Sequence, residues 1–248
     1  MAPSKNELIS AAQRYIQRGQ LDKAIREYQQ VLQLDPHDIQ TRLRLGDLYA
    51  KKGAKAEAIQ QYLRVAERYA ADGFYLKAIA VHKQILKLEP ESVESLGHLA
   101  ALYHKQGLLS DALAQYQRLA ALHDRRGATR EALDTLTKMA DLDPLNAELR
   151  VKLGELYLRA RIKESGIEQL LKAAELLGQA GKREEQLAVL ERAATADPGH
   201  RDAALALIRV QLEAGRLAPA LARLSALADR APGDVELREL QAEALVRA

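Results

Sequence analysis

The sequence of 248 residues contains no cysteine, so the chain can form neither disulfides nor thiolate metal sites. This absence is typical of a reducing compartment, and we expect a cytoplasmic location. Only 4% of the residues are aromatic, with one Phe and no Trp, although 48% are hydrophobic. A core built mainly from Leu, Ala, Ile and Val favours packed helices over strands.

Long apolar runs and a strong excess of one charge are also missing. The sequence has no apolar run of the ~18 residues that a membrane span needs. The opening segment MAPSKNELISAAQRYIQRGQ holds no apolar stretch of signal-peptide length, so we expect neither a span nor a leader. The 37 Lys and Arg residues nearly balance the 34 Asp and Glu residues, giving a net charge of +3. This balance argues against nucleic acid as the partner.

The chain repeats itself at a fixed interval. The segments VLQLDP (31–36), ILKLEP (85–90), MADLDP (139–144) and AATADP (193–198) end in prolines, and the interval between successive prolines is 54 (90 minus 36). Other columns keep the same interval: Gly19, Gly73, Gly127 and Gly181; Gly53, Gly107 and Gly215, with Arg161 in the third place; and Tyr49, Tyr103 and Tyr157. Such a period indicates a stack of similar structural units.

Between these markers the sequence predicts helices. Segment 21–34 places its apolar residues at i, i+3, i+4 and i+7, as in an amphipathic helix. The glycines suit the left-handed residue that ends a helix. Candidate N-cap residues are Ser4 (in a capping box with Glu7), Asp38, Ser92, Asn146 and Asp234. About fourteen helices are predicted, near 5–18, 21–34, 39–52, 55–72, 75–88, 93–106, 109–126, 129–142, 147–160, 163–180, 183–196, 201–214, 217–230 and 235–247.

The repeated residues resemble the tetratricopeptide repeat, a 34-residue helix–turn–helix with the pattern L-G-x2-Y, then A-x3-F, then a closing proline. The segment LRLGDLYAKKGAKAEAIQQY (43–62) carries this pattern, and LAALY (99–103) and LGELY (153–157) repeat its first part. The resemblance covers essentially residues 5–247. It implies an all-α, right-handed α-solenoid of antiparallel helices that serves as a binding scaffold.

A period of 54 rather than 34 is explained if one helix in three is shared between two 34-residue units. The second unit then adds only 20 residues to the first, and 34 plus 20 is 54. The helix after Gly53 would then present one apolar face to both neighbours. We predict a single solenoid with units of about 5–58, 59–112, 113–166 and 167–220 and a terminal capping helix at 235–247. Three helices per unit favour units that alternate in direction. The interval from Pro198 to Pro232 is only 34 (232 minus 198), so the last pair is unshared and the chain can be a fragment of a longer protein.

No pattern for catalysis or for a cofactor is present. The sequence has no H-E-x-x-H, no G-x-x-x-x-G-K-[ST] and no G-x-G-x-x-G. His98 and His104 are six positions apart, so a helix would place them on different faces, unlike a metal-binding pair. We expect no enzyme activity, no metal and no cofactor.

Packing roles account for most tyrosines and for two glycines. Most tyrosines fall at repeat core positions, while Phe74 and Tyr75 lie in a turn, where we expect Phe74 to pack against the adjacent helix. Gly46 and Gly154 are expected where two helices approach closely, so Gly46→Leu should overpack the contact by about 1–3 kcal/mol.

The resemblance implies that a partner peptide, helix or protein surface binds on the inner face, which the first helix of each pair supplies. The candidate partner-binding residues are Gln13, Ile16, Asp47, Ala50, Lys51, His104, Lys105, Glu155, Arg159 and Arg209. We expect a protein–protein interaction scaffold, in the manner of long bacterial repeat proteins of polarity, motility or secretion assemblies. One alternative is an electrostatic adaptor that binds nucleic acid or an anionic membrane through basic helix ends. Self-association through the last helix is a further possibility.

Overall fold

A computed structural model describes residues 3–231 and 233–247, and this part of the chain forms fourteen α-helices and no strand. Pro232, on which the shorter last interval depends, lies outside the described residues. The predicted helices are confirmed, with ends that differ by one residue at most. The helices are α1 (Lys5–Gln17), α2 (Leu21–Leu34), α3 (Ile39–Lys52), α4 (Lys55–Ala71), α5 (Tyr75–Leu88), α6 (Val93–Lys105), α7 (Leu109–Arg125), α8 (Thr129–Leu142), α9 (Ala147–Arg159), α10 (Lys163–Gln179), α11 (Arg183–Ala196), α12 (Arg201–Glu213), α13 (Leu217–Arg230) and α14 (Val235–Arg247).

Local chemistry explains where the helices begin and end. The Ser4 and Glu7 side chains form the predicted capping box. Asp38 accepts a hydrogen bond from the backbone N–H of Thr41, in the first turn of the next helix. The turn after α3 is closed by Gly53 at φ +83°, a left-handed conformation that suits glycine. Arg161 occupies the same place at φ +61° and is the non-glycine residue with positive φ in the described chain.

The chain divides into two compact parts, each larger than one 54-residue repeat. From here on, the first unit is Met1–Leu122 and the second unit is His123–Ala248. In the first unit, consecutive helices pack on one another from α1 to α6. The shared-helix prediction is met by α4, which is continuous over 17 residues and packs on both α3 and α5. Tyr62, Val65, Ala66 and Tyr69 form its buried face. One apolar face therefore serves two neighbouring helices.

The second unit shows the same arrangement around α10. This helix is also continuous over 17 residues and packs on α9 and α11. Its buried face includes Ile167, Leu170, Ala173 and Leu177, which join residues of α11 and α12 in one cluster. Beyond it, α12, α13 and α14 share a smaller cluster that contains Leu237. Hence α14 buries one face while leaving other apolar residues exposed, as expected of a capping helix.

The two predicted glycine contacts are confirmed. A Cβ atom on Gly46 would lie 2.8 Å from Cε1 of Tyr62, so α3 and α4 touch at this point. A Cβ atom on Gly154 would lie 3.0 Å from the carbonyl oxygen of Gly166, so α9 and α10 meet backbone to backbone. Glycine permits both approaches because it has no side chain.

The aromatic side chains follow the expectations in part. Tyr28, Tyr62, Tyr69 and Tyr103 are buried. The remaining predicted core tyrosines, Tyr15, Tyr49, Tyr116 and Tyr157, are partly exposed. Phe74 packs edge-on against Tyr69, with 6.4 Å between ring centroids, yet it stays 51% exposed. The expectation that Phe74 packs on the adjacent helix is therefore met on one side of the ring only.

Candidate functional site

The first unit carries seven of the candidate partner-binding residues, and all are accessible to solvent. Five are exposed: Gln13, Asp47, Lys51, His104 and Lys105. The other two, Ile16 and Ala50, are partly buried and pack against the core of the unit. The apolar members of the predicted surface thus also stabilise the fold.

Two of these residues have defined contacts. Asp47 accepts a hydrogen bond of 2.7 Å from the hydroxyl group of Tyr62 on α4. Burial, with this bond to the Asp47 carboxylate, raises the pKa of Tyr62. The Nζ atom of Lys105 lies 5.5 Å from the ring centroid of Tyr75, which places the end of α6 beside the start of α5.

In the second unit, the three candidate residues all form ion pairs. Glu155 on α9 binds Arg192 on α11 at 2.5 Å. Arg159 lies 3.4 Å from Asp124. Arg209 on α12 binds Glu236 on α14 at 2.5 Å. These pairs are largely exposed, so each contributes at most about 1 kcal/mol to folding.

A groove of 620 Å³ lies between α9, α10 and α11, within the second unit. Its apolar lining consists of Leu145, Ala147, Val151, Leu176, Leu177, Ala180, Ala188 and Val189. Its polar lining consists of Asn146, Glu148, Lys182, Glu185 and Arg192. We call this feature the α9–α11 groove. Its volume lies within the range of about 300–1,000 Å³ that is typical of ligand sites.

The groove forms where small residues face each other. Ala188 is exposed on α11, and Ala180 follows the end of α10, so neither fills the space between the helices. Val151, on α9, supplies one wall and is only partly covered. Leu145 precedes α9 and is 76% exposed at the edge of the groove. The groove therefore presents apolar surface to solvent.

The charges at the rim of the groove are already paired within the unit. Glu148 binds Lys152 at 2.8 Å, and this contact lowers the pKa of the Glu148 carboxyl. Lys182 lies 3.1 Å from Glu185, and Arg192 binds Glu155. A ligand would thus meet neutralised ion pairs around an open apolar floor.

None of the candidate partner-binding residues named from the sequence lines this groove. Glu155 reaches the rim only through its ion pair with Arg192. The residues from α10 and α11 were missed because their contribution depends on the shared helix bringing α11 beside α9. Ala188, a small residue on an otherwise polar helix face, was the available signal.

Several basic residues at helix ends are engaged by carboxylates of neighbouring helices. Lys52 at the end of α3 binds Asp22 at the start of α2. Arg183 at the start of α11 binds Glu213 at the end of α12. Both pairs join residues that are distant in sequence, so they hold adjacent helix ends together. They reduce the free positive charge on which the electrostatic alternative relies.

The histidines are arranged differently from the pair considered in the sequence. His82 on α5 is buried and stacks on His98 of α6, with 5.4 Å between ring centroids. Burial, with a smaller effect of His98, lowers the pKa of His82 to about 4. Its Nδ1 atom lies 3.4 Å from the Ser95 hydroxyl. Across residues 3–231 and 233–247, no group of three or more His, Cys, Asp or Glu side chains is placed to hold a metal ion.

Four family models match the chain, described as TPR repeat (residues 12–53) and tetratricopeptide repeat (residues 39–72, 66–127 and 177–244). Together they cover residues 12–127 and 177–244, most of the sequence. The chain belongs to the tetratricopeptide repeat family. Its all-α solenoid fold is generally a non-catalytic scaffold, and the repeats support a role in protein–protein interaction.

Individual relatives are distant. The chain is 27% identical over 103 residues to Superkiller complex protein 3 of Homo sapiens, a match that covers 42% of this chain and 5% of that protein. The structure of a tetratricopeptide repeat protein of Thermus thermophilus matches at 19% identity, with a TM-score of 0.28, over 98% of this chain and all of that chain. A tetratricopeptide repeat protein from Parabacteroides merdae matches at 16% identity and a TM-score of 0.28, over 97% and 98%. In the described part of the chain, no helix has both the length and the apolar character needed to cross a bilayer.

Proposed function

We propose that this protein is a scaffold that holds a short segment of another protein in the α9–α11 groove. The segment is a helix or an extended peptide with apolar residues on one side and charged residues on the other. We further propose that the scaffold works in the bacterial cytoplasm, as part of a polarity, motility or secretion assembly. No catalytic step, metal or cofactor is needed for this role.

The observation that carries the proposal is the combination of an open apolar floor with a paired rim. Because the rim charges bind one another, the groove offers little net charge, and affinity must come from burial of apolar side chains. A partner helix would supply such side chains at i, i+3 or i+4 and i+7. The ion pairs around the floor would then select polar residues at the edge of the segment.

The candidate residues of the first unit provide a second, separate contact surface in this proposal. Asp47, Lys51, His104 and Lys105 are exposed and carry both signs of charge. A triple substitution of Asp47, Lys51 and His104 tests this surface in pull-downs against the unchanged protein. If both recover the same proteins, the surface takes no part in binding.

The groove is tested with a matched pair of substitutions. Ala188 in the groove and Ala80 on α5 lie two periods apart, 188 minus 80 being 108, and both are exposed. Peptides selected from a displayed library on the unchanged protein should bind Ala80→Glu normally. They should bind Ala188→Glu at least about tenfold more weakly, because a carboxylate would enter the apolar floor. Equal affinity of selected peptides for both variants would place the binding site elsewhere.

The electrostatic alternative is separated by ionic strength. Binding of nucleic acid through basic helix ends should weaken steeply as salt is raised from low to moderate concentration. Binding of an apolar segment in the groove should change little under the same conditions. The ion pairs of Lys52 and Arg183 favour the second result.

A further inference from the structure

Two adjacent turns of the first unit expose large apolar side chains. The turn between α4 and α5 carries Phe74, 51% exposed, and the first turn of α5 carries Leu76, 65% exposed. The turn between α6 and α7 carries Leu108, and α7 begins with Leu109; each is 41% exposed. The cation–π contact of Lys105, the last residue of α6, with Tyr75, the first residue of α5, shows that the two turns are neighbours at one end of the unit.

The fold itself does not require these side chains. The equivalent turn one period earlier has the same left-handed glycine, Gly19 at φ +70° against Gly73 at +78°. There the places of Phe74 and Leu76 are taken by Gln20 and Asp22. In the later repeats the same two places hold Ala128 and Arg130, then Lys182 and Glu184. Since other residues, most of them polar, satisfy the same turn, the fold does not account for the exposed apolar surface at 74 and 76.

Two lysines stand beside these apolar residues. The Nζ atom of Lys77 lies 4.6 Å from the ring centroid of Phe74, and that of Lys105 lies over Tyr75. Within the described residues neither lysine has a carboxylate at ion-pair distance, in contrast to Lys52 on α3. Asp72, which precedes the turn, is bound by Arg68 at 2.9 Å. The positive charges of the two lysines are therefore available to an outside anion.

We propose that this edge docks on the surface of an anionic lipid bilayer, and we call it the lipid-facing edge. Its residues are Phe74, Leu76, Lys77, Lys105, Leu108 and Leu109. Exposed side chains in two neighbouring turns and in the first residues of the helices that follow them lie at one end of the unit, so they can enter the boundary between headgroups and acyl chains together. Lysines beside them meet anionic headgroups, the arrangement found in proteins that lie on membranes without spanning them.

A bilayer suits this edge better than an acidic protein segment does. A protein segment gains affinity by filling a concave site, and the apolar residues here project from two turns and from the helix starts that follow them. A bilayer accepts several projecting side chains at once and supplies many negative charges to both lysines. The lipid-facing edge belongs to the first unit and shares no residue with the α9–α11 groove, so either can fail without the other; with the first-unit contact surface it shares Lys105 alone.

The test is sedimentation of the full chain with vesicles of phosphatidylcholine alone or mixed with phosphatidylserine. The unchanged protein should sediment with the mixed vesicles and much less with phosphatidylcholine alone. The double variant Phe74→Gln, Leu76→Asp copies Gln20 and Asp22, the natural residues at the equivalent places one period earlier, so it should fold. It should bind the mixed vesicles at least about tenfold more weakly. Lys77→Gln and Lys105→Gln should each weaken binding about fivefold, on mixed vesicles only.

The matched control is Leu245→Asp, because Leu245 is 61% exposed on α14, close to the exposure of Leu76. Its vesicle binding should equal that of the unchanged protein, and thermal unfolding by circular dichroism verifies that each variant is folded. Failure of the unchanged protein to bind mixed vesicles would overturn the proposal and leave an acidic protein segment as the occupant. Loss of binding in the lysine variants but not in the Phe74 and Leu76 variant would also overturn it, since adsorption would then be purely electrostatic.

Discussion

The contact between Gly46 and Tyr62 offers the sharpest test of how α3 packs on α4. A Cβ atom at residue 46 would lie 2.8 Å from Cε1 and 2.9 Å from Cδ1 of the Tyr62 ring. The ring is 4% exposed and its hydroxyl donates to Asp47, so it has little freedom to move away. We therefore expect Gly46→Leu to force the two helices apart.

The size of the effect follows from three contributions. Replacing a helical glycine gains about 1 kcal/mol of helix propensity. Overpacking costs about 1–3 kcal/mol, and loss of the hydrogen bond from Tyr62 costs about 1 kcal/mol more. The net expectation is a loss of about 1–3 kcal/mol in the free energy of unfolding, measured by urea denaturation. Gly97→Ala is the control, because a Cβ atom there would make an ordinary contact of 3.7 Å with Leu119.

The segment three periods later in the chain suggests how the loss can be rescued. At the places of Gly46 and Tyr62 it holds Ile208 and Leu224, which are buried in one cluster. Adding Tyr62→Leu to Gly46→Leu should therefore cost less than the sum of the two single changes, by about 1 kcal/mol or more. Strictly additive effects, or an unchanged denaturation midpoint in Gly46→Leu, would refute this account of the interface.

Two further predictions concern a buried histidine and a strained turn. The pKa of His82 is about 4 in the folded chain and about 6.5 when unfolded, so the unfolded state binds the proton more readily. The free energy of unfolding should therefore fall by up to about 3 kcal/mol between pH 6.5 and pH 4. The variant His82→Leu should flatten that part of the pH profile; leucine is chosen because the buried Leu190 occupies the equivalent place two periods later. Arg161, at φ +61°, occupies a place where the other repeats have glycine, so Arg161→Gly should raise the free energy of unfolding by about 1 kcal/mol in thermal denaturation. A profile unchanged by the His82 substitution, or a lower midpoint for Arg161→Gly, would contradict these two assignments.

The local features of the chain were determined by its sequence alone. The repeat period, the left-handed residues at Gly53 and Arg161, and the N-cap at Asp38 all follow from the order of residues along short segments. The continuity of α4 was predictable for the same reason, because one apolar stripe runs along it without a break. Local propensity and helical periodicity are properties of short segments, so a sequence expresses them directly.

Apart from the close approaches predicted at Gly46 and Gly154, the contacts between helices were decided by the tertiary structure. The stacking of His82 on His98 depends on the register of α5 against α6, which no spacing within one helix reveals. The α9–α11 groove depends on the shared helix α10 placing small residues such as Ala188 opposite Val151. Exposure of Phe74 likewise depends on which side of its ring a neighbour covers. Helices with one apolar stripe can pack at several offsets, and the fit of side-chain volumes, felt only when the helices meet, selects among them.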